Sequence, residues 1–99
     1  MAMALSAHAP KDIEAKFDIE TKILEITVNH PVKGDGHYVE KITVELNDEE
    51  IIQQQLNKQE DKEKQTVVYK ITNAKSGDEI EVIADCNKFG KEKAKIEVK

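Results

Sequence analysis

Ile13-Glu14-Ala15-Lys16-Phe17-Asp18-Ile19, followed by Glu20-Thr21-Lys22 and then Leu24-Glu25-Ile26-Thr27-Val28, is the stretch that decides the fold. Apolar and polar side chains alternate along both runs. A half-buried strand demands that pattern, because successive side chains point to opposite faces. The polar triplet between the runs reads as a turn, so together they predict an antiparallel hairpin.

The same period of two recurs along the rest of the chain. Tyr38, Ile42, Val44 and Leu46 oppose Lys41, Thr43 and Glu45, after a glycine-containing loop. Val67, Tyr69 and Ile71 form another run, ended by the turn-rich Asn73-Ala74-Lys75-Ser76-Gly77-Asp78. Ile80, Val82, Ala84 and Cys86 continue the alternation, and Ala94, Ile96 and Val98 complete it against Lys93, Lys95 and Glu97. The segment from Asn47 to Gln65 has two readings. Asn47 or Asp48 could cap a helix, but Ile52 and Leu56 make a thin apolar face for one. With strands on both sides, Ile51–Asn57 is assigned as a strand and Asn57–Lys64 as a polar, mobile loop. Seven short strands at such spacing predict an all-β fold, a seven-stranded antiparallel immunoglobulin-like β-sandwich. Residues 1–99 are expected to form a single domain, with residues 1–7 as a short flexible leader.

Composition narrows the function classes. The 99 residues are 38% hydrophobic, 35% charged and 4% aromatic, without tryptophan, so Ile, Val and Leu must supply the core. Fifteen Lys and Arg against twenty Asp and Glu give a net charge of -5. Nucleic-acid binding needs a positive stripe, whereas here lysines and glutamates alternate. No apolar run approaches the roughly 20 residues that span a bilayer as a helix. One cysteine, Cys86, forms no internal disulfide, so the core must hold the fold. A lone thiol suits the cytoplasm. The small apolar start, Met1-Ala2-Met3-Ala4-Leu5-Ser6-Ala7, also leaves room for a periplasmic protein whose export leader has been trimmed.

The residues able to carry chemistry sit at strand ends. His8 precedes the first strand in Ala7-His8-Ala9-Pro10, His30 follows the second in Asn29-His30-Pro31, and His37 opens the third in Gly36-His37-Tyr38. Cys86 ends a strand in Asp85-Cys86-Asn87-Lys88-Phe89-Gly90. Imidazole and thiolate are the ligands a borderline-soft transition metal prefers. Cys86 also carries a second reading as a small core residue, since it continues the phase of Ile80, Val82 and Ala84. Gly34-x-Gly36 precedes no helix and is not a phosphate loop.

His30-Pro31, a short loop and His37-Tyr38-Val39, then Cys86-Asn87-x-x-Gly90, and ahead of both His8-Ala9-Pro10, occur in that order over residues 8–99. This set resembles the desulfoferrodoxin and superoxide reductase family. The resemblance implies an immunoglobulin-like sandwich holding a mononuclear iron through equatorial histidines and one axial cysteine thiolate, with an open position for superoxide. It makes His8, His30 and His37 the implied equatorial ligands and Cys86 the axial one. Three departures stand beside it. The fourth family histidine falls at Phe89, the lysine beside the first histidine falls at Ala7, and the loop from His30 to His37 is one residue longer than usual. Phe89 is read as a plug filling the space of the missing ring, and Tyr38 as a sandwich core residue.

The implied function is thus a divergent, superoxide-reductase-like iron-binding protein, an oxidoreductase whose activity is reduced or lost. The cofactor expected is iron (Fe²⁺/Fe³⁺), with zinc as the alternative because three imidazoles and one thiolate complete a tetrahedral set. Lys33, Lys88 and Lys91 are candidates for a local positive field that draws in the anion. The alternative function is a metal-free or zinc-binding sandwich serving as a protein-binding module. Partners left open are a small electron-donor protein and further copies of the chain; no nucleic acid and no membrane are expected.

Overall fold

In the computed structural model, which describes residues 10–99, the opening alternation forms the predicted hairpin: β1 (Asp12–Asp18) pairs antiparallel with β2 (Ile23–Asn29). Its loop closes through a Lys22 N–H bond to the Asp18 carbonyl at 2.7 Å, with Lys22 at φ 65°. The later strands are β3 (Val39–Leu46), β4 (Glu49–Gln55), β5 (Lys64–Lys70), β6 (Glu79–Cys86) and β7 (Lys91–Glu97). They make a three-stranded sheet, β1-β2-β5, facing a four-stranded sheet, β4-β3-β6-β7, with all pairings antiparallel. The architecture is the immunoglobulin-like sandwich that the alternation predicts. No helix among the described residues is long and apolar enough to cross a membrane. The expected leader, residues 1–7, and His8 lie outside the described residues.

The ambiguous segment is a strand, but it begins and ends two residues earlier than Ile51–Asn57. The reason is a two-residue turn. Asn47 and Asp48 both have positive φ, 51° and 70°. That backbone matches the right-handed twist of the flanking strands, so β4 starts directly at Glu49. Ile51 is an extra residue on this edge strand, since Val44 pairs with Ile52 and Glu45 with Glu50. The alternation therefore slips, and Ile51 faces solvent.

The core lies between the sheets. Leu24, Ile26 and Val28 from β2 meet Ile42 and Val44 from β3 and Ile80, Val82 and Ala84 from β6, all essentially inaccessible. Ile13, Ala15 and Phe17 of β1 and Ile96 of β7 flank it half-buried. At one end of the sandwich, Asn47 and Asp78 clip the β3–β4 turn to the start of β6. Asn47 donates to the Asp78 carboxylate at 3.1 Å and accepts the Glu79 N–H at 2.9 Å. The opposite end holds the chemistry.

Candidate metal centre

His30 comes one residue after β2 and keeps the buried phase of Leu24, Ile26 and Val28. Cys86 ends β6 and keeps the phase of Ile80, Val82 and Ala84. His37 arrives differently. Ile42, Val44 and Leu46 point inward, so strict alternation would turn residues 38 and 40 to the core. Instead Val39 pairs with Cys86 while Lys41 pairs with Asp85, leaving Glu40 as an extra residue on β3. A bulge of this kind flips the phase of everything beyond it. Val39 becomes fully buried, His37 is 6% exposed, and Tyr38 is displaced from the core position expected of it to a half-buried one.

These three side chains converge. One donor atom from each of His30, His37 and Cys86 lies within 4.8 Å of the others, and all three residues are buried. His37 Nε2 is 2.8 Å from Cys86 Sγ. The imidazoles of His30 and His37 meet edge to face, with ring centres 4.6 Å apart and planes at 87°. Donors on a common transition metal lie roughly 3–4.5 Å apart, given bond lengths of about 2.0–2.3 Å. The set therefore fits such an ion with small side-chain adjustments. Its chemistry, two imidazoles and a cysteine sulfur shielded from water, suits iron or zinc.

Backbone and amide groups hold the donors in place. The Lys88 N–H points at Cys86 Sγ at 3.3 Å. Asn87 grips the chain on both sides of His37: its Oδ1 accepts the Tyr38 N–H at 2.9 Å and its Nδ2 donates to the Gly36 carbonyl at 3.0 Å. The Cys86 N–H closes the β6–β7 turn onto the Gly90 carbonyl at 3.0 Å, with Gly90 at φ 81° where a side chain would be strained. Gln59, 8% exposed, accepts at Oε1 2.8 Å from His30 Nδ1. A cleft of about 140 Å³, lined in part by Val32, Asp35, His37, Lys58, Gln59 and Lys62, opens from this end to solvent.

Two expectations need correction. Phe89 is not a plug: it is 66% exposed on the β6–β7 turn, so its own ring does not fill the place of the fourth histidine. The Asn57–Lys64 segment is not a solvated loop throughout. Its backbone continues the β2–β5 pairing through His30 N–H to Glu63 O at 2.9 Å and Val32 N–H to Lys62 O at 2.8 Å, which carries Gln59 inward. Sequence reasoning missed Gln59 and the clasping role of Asn87. Asn87 carried a signal in its adjacency to Cys86; Gln59, within a run of Lys, Glu, Gln and Asp, carried none.

Residues 5–95 match the family model for desulfoferrodoxin, which spans the whole site. The chain belongs to the desulfoferrodoxin family. Among solved structures, superoxide reductase (1Fe-SOR) from Giardia intestinalis is similar, with a TM-score of 0.69 and 16% identity over 92% of this chain and 100% of that one. A superoxide reductase (neelaredoxin) from Ignicoccus hospitalis gives 0.60 and 14% over 92% and 81%. A hypothetical protein from Pyrococcus horikoshii gives 0.60 and 9% over 93% and 90%. At such identities these likenesses establish the shared fold. No curated protein shows significant sequence similarity to the chain. Within this desulfoferrodoxin-type sandwich, His30, His37 and Cys86 form a candidate metal site.

Proposed function

We propose that this desulfoferrodoxin-family chain binds one iron through Cys86 and the imidazoles of His30, His37 and His8, as a divergent protein of superoxide reductase type. The convergence of the three described donors within 4.8 Å carries the reading. The names of the similar structures support the substrate, superoxide. Bound there, thiolate-ligated iron supplies a one-electron couple able to reduce superoxide, with two protons, to hydrogen peroxide. A small electron-donor protein would restore the electron.

The chain's own residues have defined tasks in this reading. Cys86 supplies the sulfur donor, and the Lys88 N–H is positioned to moderate its charge. Asn87 fixes the backbone that carries His37. The exposed Phe89 adds no ligand, and Ala7 adds no positive charge, so turnover is expected to be weak. A zinc site is the second reading: with Phe89 turned outward, His30, His37 and Cys86 together with His8 would supply the four donors that a tetrahedral zinc site takes.

Metal content and the visible spectrum of protein made in iron-replete medium test the proposal. One iron per chain, with a sulfur-to-iron charge-transfer band on oxidation that Cys86→Ser abolishes, is the expected result. A colourless protein holding one zinc favours the second reading. Metal-free protein whose melting temperature ignores Fe²⁺ and Zn²⁺ contradicts both and leaves the protein-binding module. Superoxide reduction should rise in the Phe89→His, Ala7→Lys double variant.

A further inference from the structure

Gln59 is held by partners that fix which end of its amide is which. Its Nε2 lies 2.8 Å from the His30 carbonyl oxygen and 2.9 Å from that of Asp61, and carbonyl oxygens only accept. Its Oε1 lies 3.1 Å from the Val39 backbone N–H, which only donates. Amide orientation is ordinarily inferred from hydrogen bonding, and here three backbone groups from three segments of the chain agree on it. The oxygen is consequently the end facing His30 Nδ1 at 2.8 Å, and that contact needs a hydrogen on Nδ1.

A neutral imidazole carries one N–H. We infer that Gln59 is a positioning residue that locks His30 in its Nδ1–H form and so makes Nε2 the donor atom of that ring. The inference deepens the metal-site reading, on which its purpose rests. The hydrogen bond holds both the proton position and the ring plane, which partners of metal-binding histidines generally do. It also joins the end of β2, the start of β3 and the β4–β5 loop at one side chain, so the centre depends on a loop that contributes no ligand. Only an amide meets this demand. A carboxylate at position 59 keeps the acceptor for Nδ1–H but faces the carbonyls of His30 and Asp61 without a donor, and an aliphatic side chain meets none of the four contacts.

The test begins with metal-free wild-type protein, ¹⁵N-labelled on histidine, at mildly alkaline pH. Long-range ¹H–¹⁵N correlation spectra should show His30 as the Nδ1–H tautomer. An Nε2–H tautomer overturns the inference, whatever the metal behaviour. Gln59→Glu should keep the Nδ1–H signature and Gln59→Leu should lose it, a contrast that a merely structural role would not produce. Zn²⁺ competition titration should then show a loss of affinity of about 10- to 100-fold in Gln59→Leu. Unchanged affinity with a changed tautomer overturns the positioning role. Wild-type protein that binds neither Zn²⁺ nor Fe²⁺ contradicts the metal reading instead, and the wild-type spectrum remains the judge of the Gln59–His30 assignment.

Discussion

His30, His37 and Cys86 were legible in the sequence because each kept a recognisable neighbour: Pro31, Tyr38 and Asn87. The groups that aim them were less so. Asn87 acts through its side-chain amide on the backbone of Gly36 and Tyr38, about fifty residues away in sequence, and no local pattern reports such a pairing. It is only partly buried, so its loss should cost a modest amount, about 1–2 kcal/mol for the broken bonds. Asn87→Ala is expected to lower the urea midpoint accordingly. It should also weaken Zn²⁺ binding more than an equally destabilising substitution in the distal core, because His37 loses its brace. Equal binding in the two variants would show that Asn87 matters for stability alone. Gln59 was invisible for a different reason: its burial follows from the loop path, which the hydrophilic composition of residues 57–64 concealed.

The strands followed from alternation, and deviations from it mark the informative places. The bulge at Glu40 is the clearest, since reading β3 by strict period two places Tyr38 inside and His37 outside. Deleting Glu40 should restore plain pairing between β3 and β6 and turn His37 away from Cys86. The variant is expected to keep its β-sheet circular dichroism while losing metal uptake and the charge-transfer band. Retention of both would show that the bulge does not set the side chain's direction. At the other end of the sandwich, the Lys75 backbone N–H first, and the Asn47 amide next, hold the Asp78 carboxyl below its usual value. A depressed folded-state value stabilises above the unfolded value of 3.8, and that contribution disappears as pH falls through the lower folded value. Glu60 and Asp61 are shifted the same way, so the wild type alone cannot isolate Asp78. Urea midpoints measured from about pH 5 downward should fall less steeply for Asp78→Asn than for the wild type; parallel curves would contradict this account of the clip.

On the scale of the whole molecule, the two sheets contribute unequally to one centre. His30 extends from the three-stranded sheet, whereas His37 and Cys86 belong to the margin of the four-stranded one. A bound ion would therefore tie the sheets together at the end opposite the Asn47–Asp78 clip, above a core built without tryptophan from Leu24, Ile26, Ile42, Ile80 and their neighbours. The family's fold was legible because seven alternating runs leave few other architectures, while the number of ligands was not, since position 89 is an exposed phenylalanine. X-ray absorption at the iron edge of the loaded protein addresses the centre most directly. The account predicts one sulfur neighbour together with a shell of imidazole nitrogens, and loss of the sulfur in Cys86→Ser. A first shell of light atoms alone in the wild type would contradict it.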